Sequence, residues 1–172
     1  MIHIWEVEEI YIRMSKYLFM DIDGVLNHEE WFRIPGVKEM GMPECWYDPE
    51  CVARIIDIIE ETGCKLVVTS IHRSDFRLHQ FFKKVGLPMD FDVTPILWDE
   101  GRGREIEYYL QRHQIANGDY AILDDEFVAL EYMLPYFVMT ANSKYEEFYE
   151  INKGCGVTDS VRDRVIEILK EK

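Results

Sequence analysis

The feature that most constrains this chain is a repeated pairing of short apolar runs with amphipathic stretches. "KYLFMD" (16–21), "KLVVTS" (65–70), "DYAILDDE" (119–126) and "YFVMT" (136–140) read as strands. Three of them are close to continuously apolar, with no alternation of polar residues. A strand of that kind is buried on both faces. Between the runs lie segments whose apolar residues recur at helical spacing. "DPECVARIIDIIEETG" (48–63) is the clearest: Asp48 can cap it, Pro49 suits its first turn, and Gly63 can end it. Helices are also expected over 74–86, 103–115 and 159–171. Strands and helices in this order predict an α/β fold, a three-layer α/β/α, Rossmann-like parallel sheet.

The 172 residues suit one domain with a proper core, and no repeat or interdomain linker divides them. We expect a single domain over 14–172, because Met14 begins "MSKYLFMDIDG", with residues 1–13 as an N-terminal extension. No apolar stretch is long enough to span a bilayer, and the first residues do not read as a signal peptide. A membrane partner is therefore not expected. Asp and Glu outnumber Lys and Arg 33 to 19, for a formal charge of −14. That excess disfavours strong non-specific binding to nucleic acid, which depends on cationic contacts to phosphate. Cys45, Cys51, Cys64 and Cys155 form no C-x-x-C pair, so free thiols in a cytoplasmic setting are expected.

Parallel sheets bind ligands at the carboxyl ends of their strands. Here those ends carry Asp21 and Asp23, Thr69 and Ser70, and Asp124 and Asp125. The four aspartates make an all-oxygen set suited to a hard cation such as Mg²⁺. Like charges at that spacing repel unless a cation lies among them. Asp21 and Asp23 project to the same side of an extended segment, and Gly24 permits a sharp turn beside them.

These same segments resemble the motifs of the haloacid dehalogenase (HAD) superfamily of phosphohydrolases. "DIDGVLN" resembles its first motif, D-x-D-G-x-L/T. "LVVTS" resembles the second, "EGRGREI" supplies the cation of the third, and "AILDDE" resembles the fourth. The combination with "TSIHR" and "GCGVT" (154–158) is similar to the HAD domains of RNA-repair and polynucleotide 3′-phosphatase type. The resemblance implies a Mg²⁺-dependent phosphomonoesterase. Asp21 would be the nucleophile forming an aspartyl-phosphate, and Asp23 the general acid and then base. Asp124 would ligate the metal, and Asp125 would orient a water at the metal or the third-motif cation. That cation would be Arg102 or Arg104, with Arg102 preferred. Either Ser70 or Thr69 would donate its hydroxyl to a phosphate oxygen, with Ser70 preferred. Arg73 would clamp a phosphate or a neighbouring substrate group.

The segment 27–47 and the stretch between Arg73 and Arg102 are each too short to build a cap domain with its own core. A short flap over an open site is expected, with substrates such as nucleotides or phosphorylated nucleic-acid ends. The alternatives are a nucleotidase-like small-molecule phosphatase and a catalytically silent phosphate-binding module. Trp31, Phe32, Trp46 and Tyr47 are expected mainly as a small core beneath the flap, and His72 as a loop histidine.

Overall fold

A computed structural model describes residues 15–40, 46–140 and 156–171. The proposed extension 1–13 lies outside the described residues, as do Gly154 and Cys155 of "GCGVT" and residues 41–45 of the flap. Five strands form one wholly parallel sheet: β1 (Tyr17–Met20), β2 (Lys65–Val68), β3 (Asp92–Val93), β4 (Tyr120–Asp124) and β5 (Phe137–Met139). Their spatial order is β3-β2-β1-β4-β5. The helices are α1 (Glu29–Arg33), α2 (Pro49–Thr62), α3 (Arg77–Val85), α4 (Arg102–Arg112) and α5 (Asp159–Lys170). Among the described residues, no helix is long and apolar enough to cross a membrane.

Strand pleating sorts the apolar runs into two cores. Leu18, Met20, Leu66, Val68, Ala121 and Leu123 face one side, where α2, α3 and α5 contribute Ile55, Phe81, Phe82 and Val165. Tyr17, Phe19, Val67, Tyr120 and Ile122 face the other, against Ile106, Tyr109 and Leu110 of α4. Both faces are thus covered, which explains why the strands read as unbroken apolar runs. Phe19 packs edge-on to Tyr109 and to Tyr120, with ring centroids 5.4 and 6.0 Å apart.

Local signals place several helix ends. Asp48 accepts a hydrogen bond from Glu50 N at the start of α2, and Gly63 closes it at φ 65°. Thr158 caps α5 through Val161 N. The helix expected from residue 74 begins instead at Arg77, because Ile71–Ser74 forms a separate 3-10 turn and Asp75 accepts from Arg77 N. The strand β3 was not expected. It is two exposed residues long and carries no periodic signal, yet it pairs with Val67 and Val68.

Candidate functional site

The chain leaves β1 towards β2 on one side and meets β4 on the other, so β1 and β4 flank the point where the strand order reverses. Open α/β sheets bind ligands at such a point. The ladder continues one residue past the strands: Asp21 N donates to Leu123 O at 3.0 Å, and Thr69 N to Met20 O at 2.9 Å. Pleat parity therefore carries over. Asp21 follows Tyr17 and Phe19, Asp124 follows Tyr120 and Ile122, and Thr69 follows Val67, all towards the α4 side.

Helix α4 meets them there. Arg102, its first residue, donates from Nη1 to Asp21 Oδ2 and to Asp124 Oδ2, each at 2.6 Å. Asp21 and Asp124 are buried, and Arg102 nearly so. Carboxylate oxygens of Asp21, Asp124 and Asp125 all lie within 4.8 Å of one another. Burial pushes the Asp124 carboxyl up to about 7, and Asp21 beside it adds to the rise. Burial and Asp21 likewise raise Asp125 to about 6. Burial opposes the charge on Arg102, but Asp124 and Asp21 outweigh it and hold the guanidinium more firmly protonated than usual. Three crowded carboxyls against one guanidinium leave a surplus of negative charge. With oxygen donors only, this set fits a hard divalent cation such as Mg²⁺. The residues that would hold it are Asp21, Asp124 and Asp125.

Asp23 stands apart from that triad. Its Oδ2 lies 3.0 Å from His72 Nε2, and its Oδ1 accepts from Asn27 Nδ2 at 3.1 Å. Buried Asn27 also accepts from Gly24 N at 2.9 Å and donates to Trp46 O at 3.0 Å. One amide thus braces the whole turn after β1. Asn27 ends the "DIDGVLN" stretch, but its bracing partner lies beyond the reach of motif reading. His72 faces the site and is not an unattached loop residue. Trp46 packs edge-on to its ring at 5.0 Å, and Tyr47 packs on Phe81 at the edge of the main core.

Gly24 takes φ 72°, and a Cβ there would fall 2.2 Å from Asp125 Cγ. Only glycine lets the two acidic strand ends approach so closely. Thr140 Oγ1 donates to Gly24 O at 2.7 Å, tying β5 to the same turn.

The two hydroxyl candidates separate. Ser70 caps the 3-10 turn, its Oγ accepting from His72 N at 3.3 Å. Thr69 Oγ1 is buried with no hydrogen-bond partner among the described residues. A buried hydroxyl in that condition is costly unless a ligand uses it. Strand parity was the signal that distinguishes them, since Thr69 and Asp21 share a face and Ser70 falls on the other.

Two expected site residues are placed elsewhere. Arg104 is exposed and pairs with Glu107 on the outer face of α4, away from the acids. Two residues along a helix is more than half a turn, so Arg102 and Arg104 cannot face the same way. Arg73 is buried, and all five of its N–H donors are committed. They go to Thr69 O, Ser70 O, Thr94 O, Pro95 O and Glu105 Oε2, at 2.7–3.1 Å. The expected phosphate clamp is therefore corrected to a tie that binds the β2 and β3 exits to α4. Glu105, one turn beyond Arg102 on the same face, completes that tie and accepts from Leu97 N at 3.0 Å.

A parallel sheet with paired acids at its switch point, a cation from the helix that precedes β4 and a glycine turn define a HAD-type domain. Residues 17–145 match the profile of the HAD domain in Swiss Army Knife RNA repair proteins, and the chain belongs to that family. Comparison with curated proteins and with solved structures found no match.

Proposed function

We propose that this chain is a Mg²⁺-dependent phosphomonoesterase that acts through an aspartyl-phosphate on Asp21. The observation that carries this reading is the triad of Asp21, Asp124 and Asp125 at the carboxyl ends of the adjacent strands β1 and β4, with the Arg102 guanidinium across two of its members. Bound Mg²⁺ would neutralise charge between the carboxylates and an incoming phosphate. Asp21 then attacks phosphorus, and the ester oxygen leaves with a proton from Asp23. Water attacks the phosphoenzyme and gives its proton to Asp23, which returns both side chains to their starting states. Asp23 is suited to this because it is half exposed and braced by Asn27 and His72. Thr69 is the better hydroxyl donor to phosphate, because its oxygen is uncommitted and shares a face with Asp21. Arg102 supplies fixed positive charge as the phosphoryl group transfers.

The family's description, together with the short segments around the site, favours phosphorylated RNA ends as substrate. A nucleotidase acting on free mononucleotides is the second reading, supported by the surplus of acidic residues. Turnover of an aryl phosphate with Mg²⁺ tests the chemistry: it should fall to background in Asp21→Asn. Activity that survives this change overturns the nucleophile assignment. A 3′-phosphorylated oligonucleotide compared with mononucleotides distinguishes the two substrates.

A further inference from the structure

The acid cluster ends at Arg102, but the surface beyond it does not close. A cleft of about 410 Å³ lies between the Ile71–Ser74 turn and the loop leading into α4. Its apolar walls are Ile71, Ile96, Trp98 and Val128, with Arg102 and Glu126 on its polar side. Trp98 is 88% exposed and Ile71 72%. Large apolar side chains gathered in water around a cleft mark a contact surface.

Three observations narrow what enters it. The cleft and the acid cluster share Arg102, so its occupant is joined to the phosphate or adjacent to it. Its charge is unsuited to a second phosphate. Arg102 is already held between Asp21 and Asp124, the donors of Arg73 are used up by protein acceptors, and Glu126 adds negative charge. A second phosphate is therefore disfavoured, and the apolar walls formed by Ile71, Ile96, Trp98 and Val128 favour an uncharged occupant. Finally, among the described residues no ring packs on Trp98, which leaves an indole face open beside the cleft. A flat π-faced group such as a base stacks on an open indole, and each base–aromatic stack contributes roughly 1–3 kcal/mol.

We propose that this cleft takes the nucleobase of the phosphate-bearing terminal nucleotide, with Trp98 as its stacking platform. The proposal rests on the phosphomonoesterase reading for the position of the phosphate. It names the ligand as a nucleoside monophosphate end, with no further phosphate on the base side.

Two measurements test it. The first compares kcat/KM for adenosine 3′-monophosphate with that for glycerol 2-phosphate, a secondary phosphate ester without a base. The native chain should favour the nucleotide. Trp98→Ala should shrink that preference at least about fivefold, the lower end of one stacking contribution, and Trp98→Phe should keep most of it. The second is the Kd for adenosine 3′-monophosphate with Mg²⁺ in an Asp21→Asn background, where no turnover intervenes. Trp98→Ala should weaken it by a similar factor. If neither phosphate is hydrolysed but binding still depends on Trp98, the cleft assignment holds and the hydrolase reading falls. If turnover is normal and neither ratio nor Kd responds to Trp98, the hydrolase reading holds and the cleft assignment is overturned. A dimer that Trp98→Ala dissolves, with nucleotide binding unchanged, would give the surface to a second copy of the chain and also overturn it.

Discussion

At the scale of single residues, the chemistry depends on which donors are already spent. Arg73 and Arg102 are both partly or wholly buried arginines near the strand ends, yet their surroundings give them opposite work. Arg73 spends five donors on backbone carbonyls and Glu105, while Arg102 faces two acids. The Arg73–Glu105 pair is almost fully buried, with side chains 5% and 9% exposed. Removing one partner of such a pair strands a charge in the interior. Glu105→Ala should therefore cost ~3–5 kcal/mol in denaturant unfolding. It should do so without a selective rise in KM for a phosphate ester. A KM effect at unchanged stability would instead return Arg73 to the role of phosphate clamp.

At the scale of elements, α4 is positioned by a glycine as much as by its apolar stripe. Gly103 lies where a Cβ would sit 2.3 Å from Val128 O. Helix propensity alone would favour alanine there by about 1 kcal/mol. The clash is with backbone, which cannot rotate away, so overpacking wins and Gly103→Ala should destabilise by roughly 1–3 kcal/mol. The displaced helix start carries Arg102, so turnover should fall more than stability alone explains. Thermal melts and aryl phosphate turnover at a temperature where the variant is fully folded would check both. A variant that is more stable and fully active would show that the helix start moves freely. The same logic explains the "RGRE" pattern: Arg102 meets the acids, Gly103 permits the approach, and Glu105 anchors Arg73.

At the scale of the whole molecule, the site works against the fold's stability. Asp124 and Asp125 keep their protons up to about 7 and about 6, because burial and Asp21 oppose ionisation. In the unfolded chain both release them near 4. Between about pH 4 and 7 the folded state thus binds more protons, and its stability falls as pH rises. In chelator, the melting temperature should drop from pH 5.5 to 8, and Asp124→Asn should flatten that slope. Added Mg²⁺ should raise the melting temperature most at the alkaline end, where the ligands are ionised. Equal slopes with chelator and with Mg²⁺ would argue against a cation site at these residues.

Much of this architecture was legible one segment at a time. The bounds of α2 follow from Asp48, Pro49 and Gly63, because caps act within a turn of the residues that carry them. Three buried strands declared themselves as apolar runs, since a strand covered on both faces has no polar side to show. The acids at the ends of β1 and β4 could be matched to one another before any fold was known. β3 could not, because two exposed residues carry no pattern and only pairing with β2 makes them a strand.

What the chain determined by itself was therefore the fold class and the edge of the sheet where reactive groups collect, since period and capping are local properties. Tertiary structure alone decided that Arg73 turns inward and that His72 is set against Asp23 across 49 residues. To the sequence's own preference for Arg102, and to the parity that separates Thr69 from Ser70, it added the contacts that bear on them. Residues one or two apart differ little in sequence context. They point to different sides once a strand pleats or a helix turns, and only packing against the rest of the molecule determines which side meets the site.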